Sequence, residues 1–412
     1  MIKKVKVEQL RPGVFVDRFD SGWLSHPFLF NRKRIKDRHA IDKMKEWGVE
    51  HVYIDTDRGL DVEDGRRVRE PEPESAVEID FVESGTEAVE PPLIHVPFQE
   101  AIVEAKVVRS KARRVIHRLL DDARGGNPID IDEAHDLVTD MDNSVRRNKD
   151  ALLLLMQVRN RDEYTFMHSV SVGALLIAFC RSMGLDGEAA RTIGLGGLLH
   201  DVGKMGVPLD ILNKPASLTE AEFAIIKQHA VYCRDILEKM DNVPETAALI
   251  ARQHHERFDG TGYPYNLKGD EISPAAQMAG IVDVFDAITA DRCYHNGMDQ
   301  VSALRKIYGM RGSHFNEKLV QRFIRCVGVY PPGTVVRLAS GRIGVVVENT
   351  DNLLKPLVRV VYDASQDWAI SPRDINLARE DPQTGDRIVG YESPHRWRID
   401  PFKVLGVGVK LL

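Results

Sequence analysis

The chain has 412 residues, 43% of them apolar and 29% charged, which is a composition typical of globular proteins. Since single cores rarely grow beyond about 250–300 residues, this length predicts two or three domains. The formal net charge of −6 argues against a binder of nucleic acid polymers or of anionic membrane surfaces. No apolar stretch reaches the ~18–20 residues that span a bilayer, the start lacks the apolar core of a signal peptide, and the four cysteines have no paired spacing. These features predict a cytoplasmic protein with reduced thiols.

Residues 1–62 are predicted to form a small α/β accessory domain. Strands are expected near Val5 and over 14–16, a helix over 35–47, where apolar residues recur three apart, and a further strand over 49–54. Residues 63–96 carry repeated Glu and Pro with little apolar surface to bury. This composition predicts a solvated acidic linker.

The stretch 97–329 is predicted to be one helical domain. It begins with a helical pair broken at Gly125–Pro128, and such a pair could provide a homodimer seam. Thr219–Glu222 reads as a capping box and Ser273 as an N-cap. Residues 330–412 change to period-two patterning, which predicts a β-rich segment. The predicted fold is therefore mainly α, with a multi-helix bundle between a small α/β domain and a small β-rich segment.

Metal-capable side chains recur through the helical domain. Their spacing of roughly 25–32 residues matches one helix plus a connection, so each group can lie on a successive wall of one bundle. A lone His–Asp pair is usually an ordinary hydrogen-bonded pair at a helix end, but seven such side chains beside glycine-rich breaks favour a metal site. The seven are His168, His200, Asp201, His229, His254, His255 and Asp283.

Asp201 is the informative member, because a carboxylate has two oxygens and can bridge two cations. With Asp201 shared, the other six side chains divide into two sets: His168, His200 and Asp283 for one ion, and His229, His254 and His255 for the other. The adjacent imidazoles of His254 and His255 can converge only near a helix end, which the glycines and the proline that follow them provide. Nitrogen and oxygen donors favour iron or manganese, with nickel, cobalt or magnesium as alternatives, over a thiolate-held zinc.

Four signatures occur in order along this domain: His168, the doublet His200-Asp201 with Lys204, His229, and residues 254–264, which read His-His-Glu-Arg-Phe-Asp-Gly-Thr-Gly-Tyr-Pro. In these signatures the chain resembles the HD-GYP family of bacterial cyclic di-GMP phosphodiesterases over about residues 130–330. The N-terminal segment resembles a small domain of unknown function often fused ahead of such catalytic domains. The resemblance implies an HD-type helical bundle, makes all seven side chains metal ligands, and gives Lys204 a role facing the substrate.

The resemblance also implies residues that bind the rest of the substrate. Arg292 matches a family position that grips the second phosphate, and Tyr263 could stack on a guanine, form part of a protein-binding lip, or simply pack against its own loop. His295 stands where the family often has a lysine, which weakens phosphate binding there. Some members hold a third metal through a glutamate four residues before the first histidine. Here that position is Tyr164, which predicts a dinuclear site.

The expected reaction is hydrolysis of cyclic di-GMP to linear pGpG, with further cleavage to GMP as a possible second step. Two cations neutralise the phosphate charge and make a nucleophile available near neutral pH, with Asp201 between them. Lys204 would contact a phosphate oxygen or the leaving group, and Asp286 would orient the attacking water or Lys204, with capping or ion pairing as the ordinary alternative. Two other functions are open: a catalytically weak cyclic di-GMP sensor and a phosphohydrolase of another guanine nucleotide. Partnership with GGDEF-domain proteins is an expectation from the family.

Overall fold

A computed structural model describes most of the chain as two compact units, Met1–Gly85 and Thr86–Leu412. The described residues are 2–19, 33–35, 38, 41, 45, 51–56, 58–60, 62, 66–67, 95–127, 129–158, 164–214, 216, 218–290, 297–381 and 385–407. Most of the predicted helix over 35–47 and of the predicted linker over 63–96 lies outside these residues.

The first unit contains a five-stranded antiparallel sheet with the strand order β3-β2-β4-β1-β5. Its strands are β1 (Ile2–Lys6), β2 (Phe15–Phe19), β3 (Lys33–Arg34), β4 (His51–Asp55) and β5 (Arg66–Arg67). In β4 the buried Val52 and Ile54 alternate with more exposed residues, the pattern of a sheet with one covered face. Val5, Val14 and Val16 bury against the same core.

The second unit is built mainly from helices around one apolar core. They are α1 (Phe98–Gly125), α2 (Asp132–Gln157), α3 (Tyr164–Ser182), α4 (Gly187–Leu199), α5 (Leu209–Leu212), α6 (Glu220–Lys227), α7 (His229–Leu237), α8 (Glu245–Gln253), α9 (Pro274–Thr289), α10 (Gln300–Gly309) and α11 (Glu317–Val327). Helix α3 lies in the middle, in contact with α1, α2, α4, α9 and α11. Its side chains from Met167 to Cys180 are buried almost throughout, as expected of a helix surrounded by other helices. The mainly α fold is confirmed.

Helix ends follow local sequence signals. Gly126 ends α1 in the left-handed conformation with φ 68°, and the capping box of Thr219–Glu222 is present at the start of α6. Ser273 occupies the N-cap position of α9, but its side chain makes no cap hydrogen bond. Inside α2, Asn148 leaves helical geometry, and its side-chain oxygen accepts the backbone N–H of Ala151, so it caps the second half of the helix.

A second antiparallel sheet follows the helices, with the order β10-β6-β7-β8-β9. Its strands are β6 (Val335–Leu338), β7 (Arg342–Glu348), β8 (Leu357–Asp363), β9 (Trp368–Asn376) and β10 (Ile388–Tyr391), and two short helices follow, α12 (Pro394–Trp397) and α13 (Pro401–Val404). Alternate residues of β7 bury on opposite faces: Val345 joins the core of the helices, and Val346 joins a separate core of the sheet. Within the described residues, no helix has both the length and the apolar character needed to cross a membrane.

Candidate metal centre

Seven histidine and aspartate side chains converge inside the helical domain. They form two groups, and in each group one potential ligand atom per residue lies within 4.8 Å of the others. One group is His168, His200 and Asp283, and the other is Asp201, His229, His254 and His255. The structure thus brings together the side chains selected from the sequence, divided as the two predicted sets.

Helix ends position most of these side chains. His200 is the C-cap of α4, Asp201 opens a 3₁₀ turn over Val202–Gly206, His229 is the first residue of α7, and His254 is the C-cap of α8. At such positions the chain changes direction, so consecutive residues such as His254 and His255 can face one centre. Helices α3 and α9 supply His168 and Asp283 from within their length, and all five helices direct these residues toward the same point.

Gly203 allows the 3₁₀ turn to lie directly against α7. A Cβ atom at Gly203 would stand 2.0 Å from the carbonyl oxygen of His229 and 2.5 Å from the backbone nitrogen of Cys233. The Sγ of Cys233 also accepts the N–H of Gly203 at 3.2 Å and donates to the carbonyl oxygen of His200 at 3.1 Å. The glycine and the cysteine together hold Asp201 beside the first turn of α7.

The carboxylate of Asp201 lies between the two groups. Its Oδ2 is 3.7 Å from Nε2 of His168 and 3.3 Å from Nε2 of His200. Its Oδ1 is 3.6 Å from Nε2 of His229 and 4.0 Å from Nε2 of His254. Each oxygen therefore faces one half of the cluster, which is the arrangement needed for one carboxylate to serve two cations.

Hydrogen bonds at the outer ring nitrogens orient the imidazoles. Nδ1 lies 2.8 Å from the carbonyl oxygen of Gly197 in His200 and 2.7 Å from that of Ile226 in His229. Because a carbonyl can only accept, Nδ1 carries the proton in these rings and Nε2 presents a lone pair to the centre. In His168 the carboxylate of Asp286 takes the place of the carbonyl, with Oδ2 2.6 Å from Nδ1.

Four buried atoms of this cluster have no hydrogen-bond partner among the described residues. They are Nε2 of His200, His229 and His254, and Oδ1 of Asp201. Buried polar atoms are almost always satisfied, because leaving one unpaired costs about 1–3 kcal/mol. Here three lone pairs and a carboxylate oxygen point at one another, which leaves a cation as the partner that suits them all. The donor set therefore fits divalent metal ions.

The electrostatics of the cluster keep three of its histidines in the neutral form that binds metals, whereas in His168 the hydrogen bonds to Asp283 and Asp286 outweigh burial and raise the pKa. Burial lowers the pKa of His254 to about 3 and of His229 to about 4, and it also lowers the pKa of His255 well below its usual value. Burial alone would raise the pKa of Asp201, but its interactions with His200 and with the ammonium of Lys204 hold it well below its usual range. Neutral imidazoles around an ionised carboxylate are the state that metal coordination requires.

Of the predicted catalytic residues beside the cluster, Lys204 lies at its edge and Asp286 behind it. The ammonium of Lys204 is 2.5 Å from Oδ2 of Asp201, and its side chain is 24% exposed, so it borders both the cluster and solvent. Asp286 contacts the outer nitrogen of His168, which makes it a residue that positions an imidazole. The expected contact of Asp286 with Lys204 is not formed, because the Lys204 ammonium pairs with Asp201.

The predicted substrate-binding residues are only partly described. Tyr263 stacks on His255, with ring centroids 4.6 Å apart and an angle of 28° between the planes, so one face of the tyrosine is covered by a member of the cluster. Arg292 and His295 lie outside the described residues. Tyr164 begins α3, and its side chain also lies outside the described part of the chain.

Glu256, which was not among the predicted site residues, organises the loop after the histidine pair. Its side chain is 7% exposed and accepts the backbone N–H groups of Tyr265 at 2.6 Å and Leu267 at 3.1 Å. The sequence did contain a signal for this role, namely a carboxylate placed between a histidine pair and a glycine-containing loop. Loops with few regular hydrogen bonds need side-chain acceptors for their backbone N–H groups.

Comparisons with known proteins agree with this architecture. The family model for the HD domain matches residues 152–319, and that for a domain of unknown function, DUF3391, matches residues 2–134. A Pseudomonas aeruginosa protein named Cyclic di-GMP phosphodiesterase PA4108 is 40% identical over 399 residues, which are 96% of this chain and 94% of that protein.

Two further relatives match about a third to a half of the chain. The Xanthomonas campestris protein named Cyclic di-GMP phosphodiesterase response regulator RpfG is 34% identical over 193 residues, 46% of this chain and 50% of that protein. A Vibrio cholerae protein named 3'3'-cGAMP-specific phosphodiesterase 3 is 38% identical over 144 residues, 35% of this chain and 31% of that protein. The HD-domain match covers every member of the His–Asp cluster, and one relative matches almost the whole length at 40% identity. The chain therefore belongs to the HD-GYP family of HD-domain phosphodiesterases, with a DUF3391 domain at its N-terminal end.

Proposed function

We propose that this enzyme hydrolyses cyclic di-GMP to linear pGpG at a dinuclear metal centre built around Asp201. The observation that carries the proposal is the convergence of six metal-capable side chains on the carboxylate of Asp201, with four buried atoms that no described protein group satisfies. The name of the relative that matches 96% of the chain supports cyclic di-GMP as the substrate.

Two cations, iron or manganese, would be held by the seven side chains. Asp201 would offer one oxygen to each, in keeping with its distances to the two groups of histidines. When bound, such a pair neutralises phosphate charge and lowers the pKa of a coordinated water. Tyr164 in place of a carboxylate favours two ions over three. Asp286 acts from behind, where it accepts the Nδ1 proton of His168 and keeps Nε2 of that ring directed at the centre.

Lys204 would act on the phosphate from the edge of the cluster. Its ammonium lies beside Oδ2 of Asp201 and is partly exposed, so it can contact a phosphate oxygen that approaches the same carboxylate. It also holds a proton at Nζ within reach of a leaving alkoxide at that position. Arg292 remains the candidate for the second phosphate, and Tyr263 can offer a base only the ring face that His255 does not cover.

The test uses protein purified without oxygen, because ferrous iron oxidises readily. Samples loaded with iron or manganese are incubated with cyclic di-GMP, products are separated by chromatography, and metal content is measured by elemental analysis. We expect linear pGpG and two ions per chain, with both lost in Asp201→Asn and retained in the exposed control Asp136→Asn. Absence of linear product with either metal would reject the activity, and three ions at full occupancy would reject the dinuclear centre.

A second substrate is favoured by one observation, the 38% identity to a relative named for 3'3'-cGAMP. The two cyclic dinucleotides differ in one base, so only residues that contact the bases can separate them. Turnover of cyclic di-GMP and 3'3'-cGAMP in competition would decide between the two substrates. If kcat/KM for 3'3'-cGAMP is higher by about tenfold or more, 3'3'-cGAMP becomes the assigned substrate in place of cyclic di-GMP.

A further inference from the structure

Lys227 is a cation at the border of the metal centre to which no role has yet been assigned. It is the last residue of α6, two positions before His229. Its Nζ lies 4.9 Å from the ring centroid of Phe223 and 5.5 Å from that of Tyr263. Tyr263 in turn stacks on His255, so the ammonium contacts a ring that is itself in contact with the cluster.

The charge of Lys227 is not neutralised within the described part of the chain. Its contacts there are the two aromatic rings, and no described carboxylate pairs with it. Two nearby lysines differ in this respect, since Lys204 pairs with Asp201 and Lys214 with Glu222. Aromatic faces attract a cation and restrict its position without cancelling its charge. Lys227 is thereby held in place and remains able to bind an anion.

The chemistry of the proposed substrate calls for such a cation. A cyclic dinucleotide carries two phosphodiesters in one covalent ring, so when one lies against the metal-binding side chains the other must lie close by. Metal ions and Lys204 can neutralise only the first of these anions, so the second needs other cations, and Lys227 would share it with Arg292, which lies outside the described residues. The ammonium of Lys227 lies 5.5 Å from the centroid of the ring that stacks on His255, so it is close to the cluster.

We propose that Lys227 binds the phosphate of the cyclic dinucleotide that is not being hydrolysed, with Phe223 and Tyr263 holding its ammonium in position. This inference rests on the proposed function and adds a specificity determinant to it, because a substrate with a single phosphodiester gains nothing from Lys227. The lysine would select for cyclic dinucleotides over simple phosphodiesters.

The test compares two substrates in the metal-loaded enzyme. Lys227→Met keeps an unbranched apolar side chain against the two rings and removes the charge. We expect its KM for cyclic di-GMP to rise about ten- to a hundredfold, which corresponds to the loss of one charge-assisted hydrogen bond. Its kcat should change less than about threefold. Its kcat/KM for bis(p-nitrophenyl) phosphate, which has one phosphodiester, should stay within about twofold of the wild type. Lys227→Arg should restore most of the affinity.

Two measurements separate binding from structural damage. Lys403→Met is the matched control, since this lysine is exposed in α13 and the variant should behave as wild type on both substrates. Calorimetric binding of a phosphorothioate analogue of cyclic di-GMP should weaken in Lys227→Met by the same factor as KM rises. Lys227→Gln provides a second neutral side chain if the methionine variant folds poorly.

Two results would overturn the assignment. The first is a KM for cyclic di-GMP within about twofold of the wild type in both Lys227→Met and Lys227→Gln. The second is an equal loss of kcat/KM on both substrates, which would indicate a structural role for the lysine. In either case wild-type turnover of cyclic di-GMP leaves the proposed function intact. If the wild type cleaves bis(p-nitrophenyl) phosphate and neither binds nor cleaves cyclic di-GMP, the proposed function fails and the role of Lys227 fails with it.

Discussion

Removal of divalent cations should destabilise the helical domain, because its interior contains polar atoms that no described protein group satisfies. Nε2 of His200, His229 and His254 and Oδ1 of Asp201 are buried without partners among the described residues. At about 1–3 kcal/mol for each such atom, the cluster carries a cost on the order of 4–12 kcal/mol when it is empty. This is a large fraction of the stability of an ordinary domain.

The size of the effect follows from binding linkage. An ion present at about 100 times its dissociation constant adds about 2.7 kcal/mol to the free energy of unfolding, so two ions add about 5 kcal/mol. At about 2–4 °C per kcal/mol for a domain of this size class, metal removal should lower the melting temperature by about 10–20 °C.

The assay is calorimetry of chelator-treated protein with and without added manganese. Asp201→Asn should lose most of the metal-dependent shift because it removes the charge that both groups of histidines face. Asp136→Asn makes the same chemical change at an exposed position and should keep the shift. Equal melting temperatures for metal-loaded and metal-free wild type would refute the reasoning, as they would mean that the histidines are satisfied without an ion.

Three further variants test the groups that support the centre. Gly203→Ala should weaken metal affinity by at least about tenfold in equilibrium dialysis, because its Cβ would meet backbone atoms at 2.0 and 2.5 Å. The control Gly309→Ala has open space around the new Cβ. It should leave the free energy of unfolding unchanged or raise it by up to about 1 kcal/mol. Glu256→Gln should raise hydrogen exchange in the loop that follows it, because an amide group cannot accept on both sides as the carboxylate does, at a cost of about 1–3 kcal/mol. Asp142→Asn should lower the free energy of unfolding in urea by about 3–5 kcal/mol, because the buried carboxylate accepts two hydrogen bonds from Arg181, at 2.7 and 2.6 Å.

Each of these variants has an outcome that contradicts its premise. Unchanged metal affinity in Gly203→Ala would show that the 3₁₀ turn can move away from α7 without disturbing the cluster. Unchanged exchange in Glu256→Gln would mean that the loop is held by other contacts. A loss below about 1 kcal/mol in Asp142→Asn would place that ion pair in the range of exposed pairs.

Much of the fold was accessible from local sequence. The helical domain, the break after α1, the capping box at α6 and strands β6 to β8 follow from periodicity, glycine and side-chain caps, which act between residues close in the chain. Strands β9 and β10 lie in the predicted β-rich segment, but their own patterns do not mark them as strands. Strand β9 is largely exposed and contains Pro372, so its pattern lacks the apolar alternation that marks a strand, and its pairing with β8 holds it in place.

The candidate site was likewise only partly predictable from the sequence. Its seven side chains could be chosen from the sequence because chemistry restricts metal binding to a few residue types, and their spacing matched successive helices. The atoms that face one another could not be predicted from the sequence. The contact of Asp286 with the back of His168, 118 positions away, depends on how α9 packs against α3.

By itself the sequence determined the type of chemistry, the order of the helices and the residues able to hold metal ions, since these depend on residue identity and on short-range periodicity. Tertiary structure alone decided that one oxygen of Asp201 faces each set of histidines, that Cys233 supports the turn carrying that aspartate, and that Lys227 stands beside Tyr263 without a described carboxylate partner. The physical reason is that these contacts join helices distant in sequence, and packing of the whole core fixes their distances to within a few tenths of an ångström.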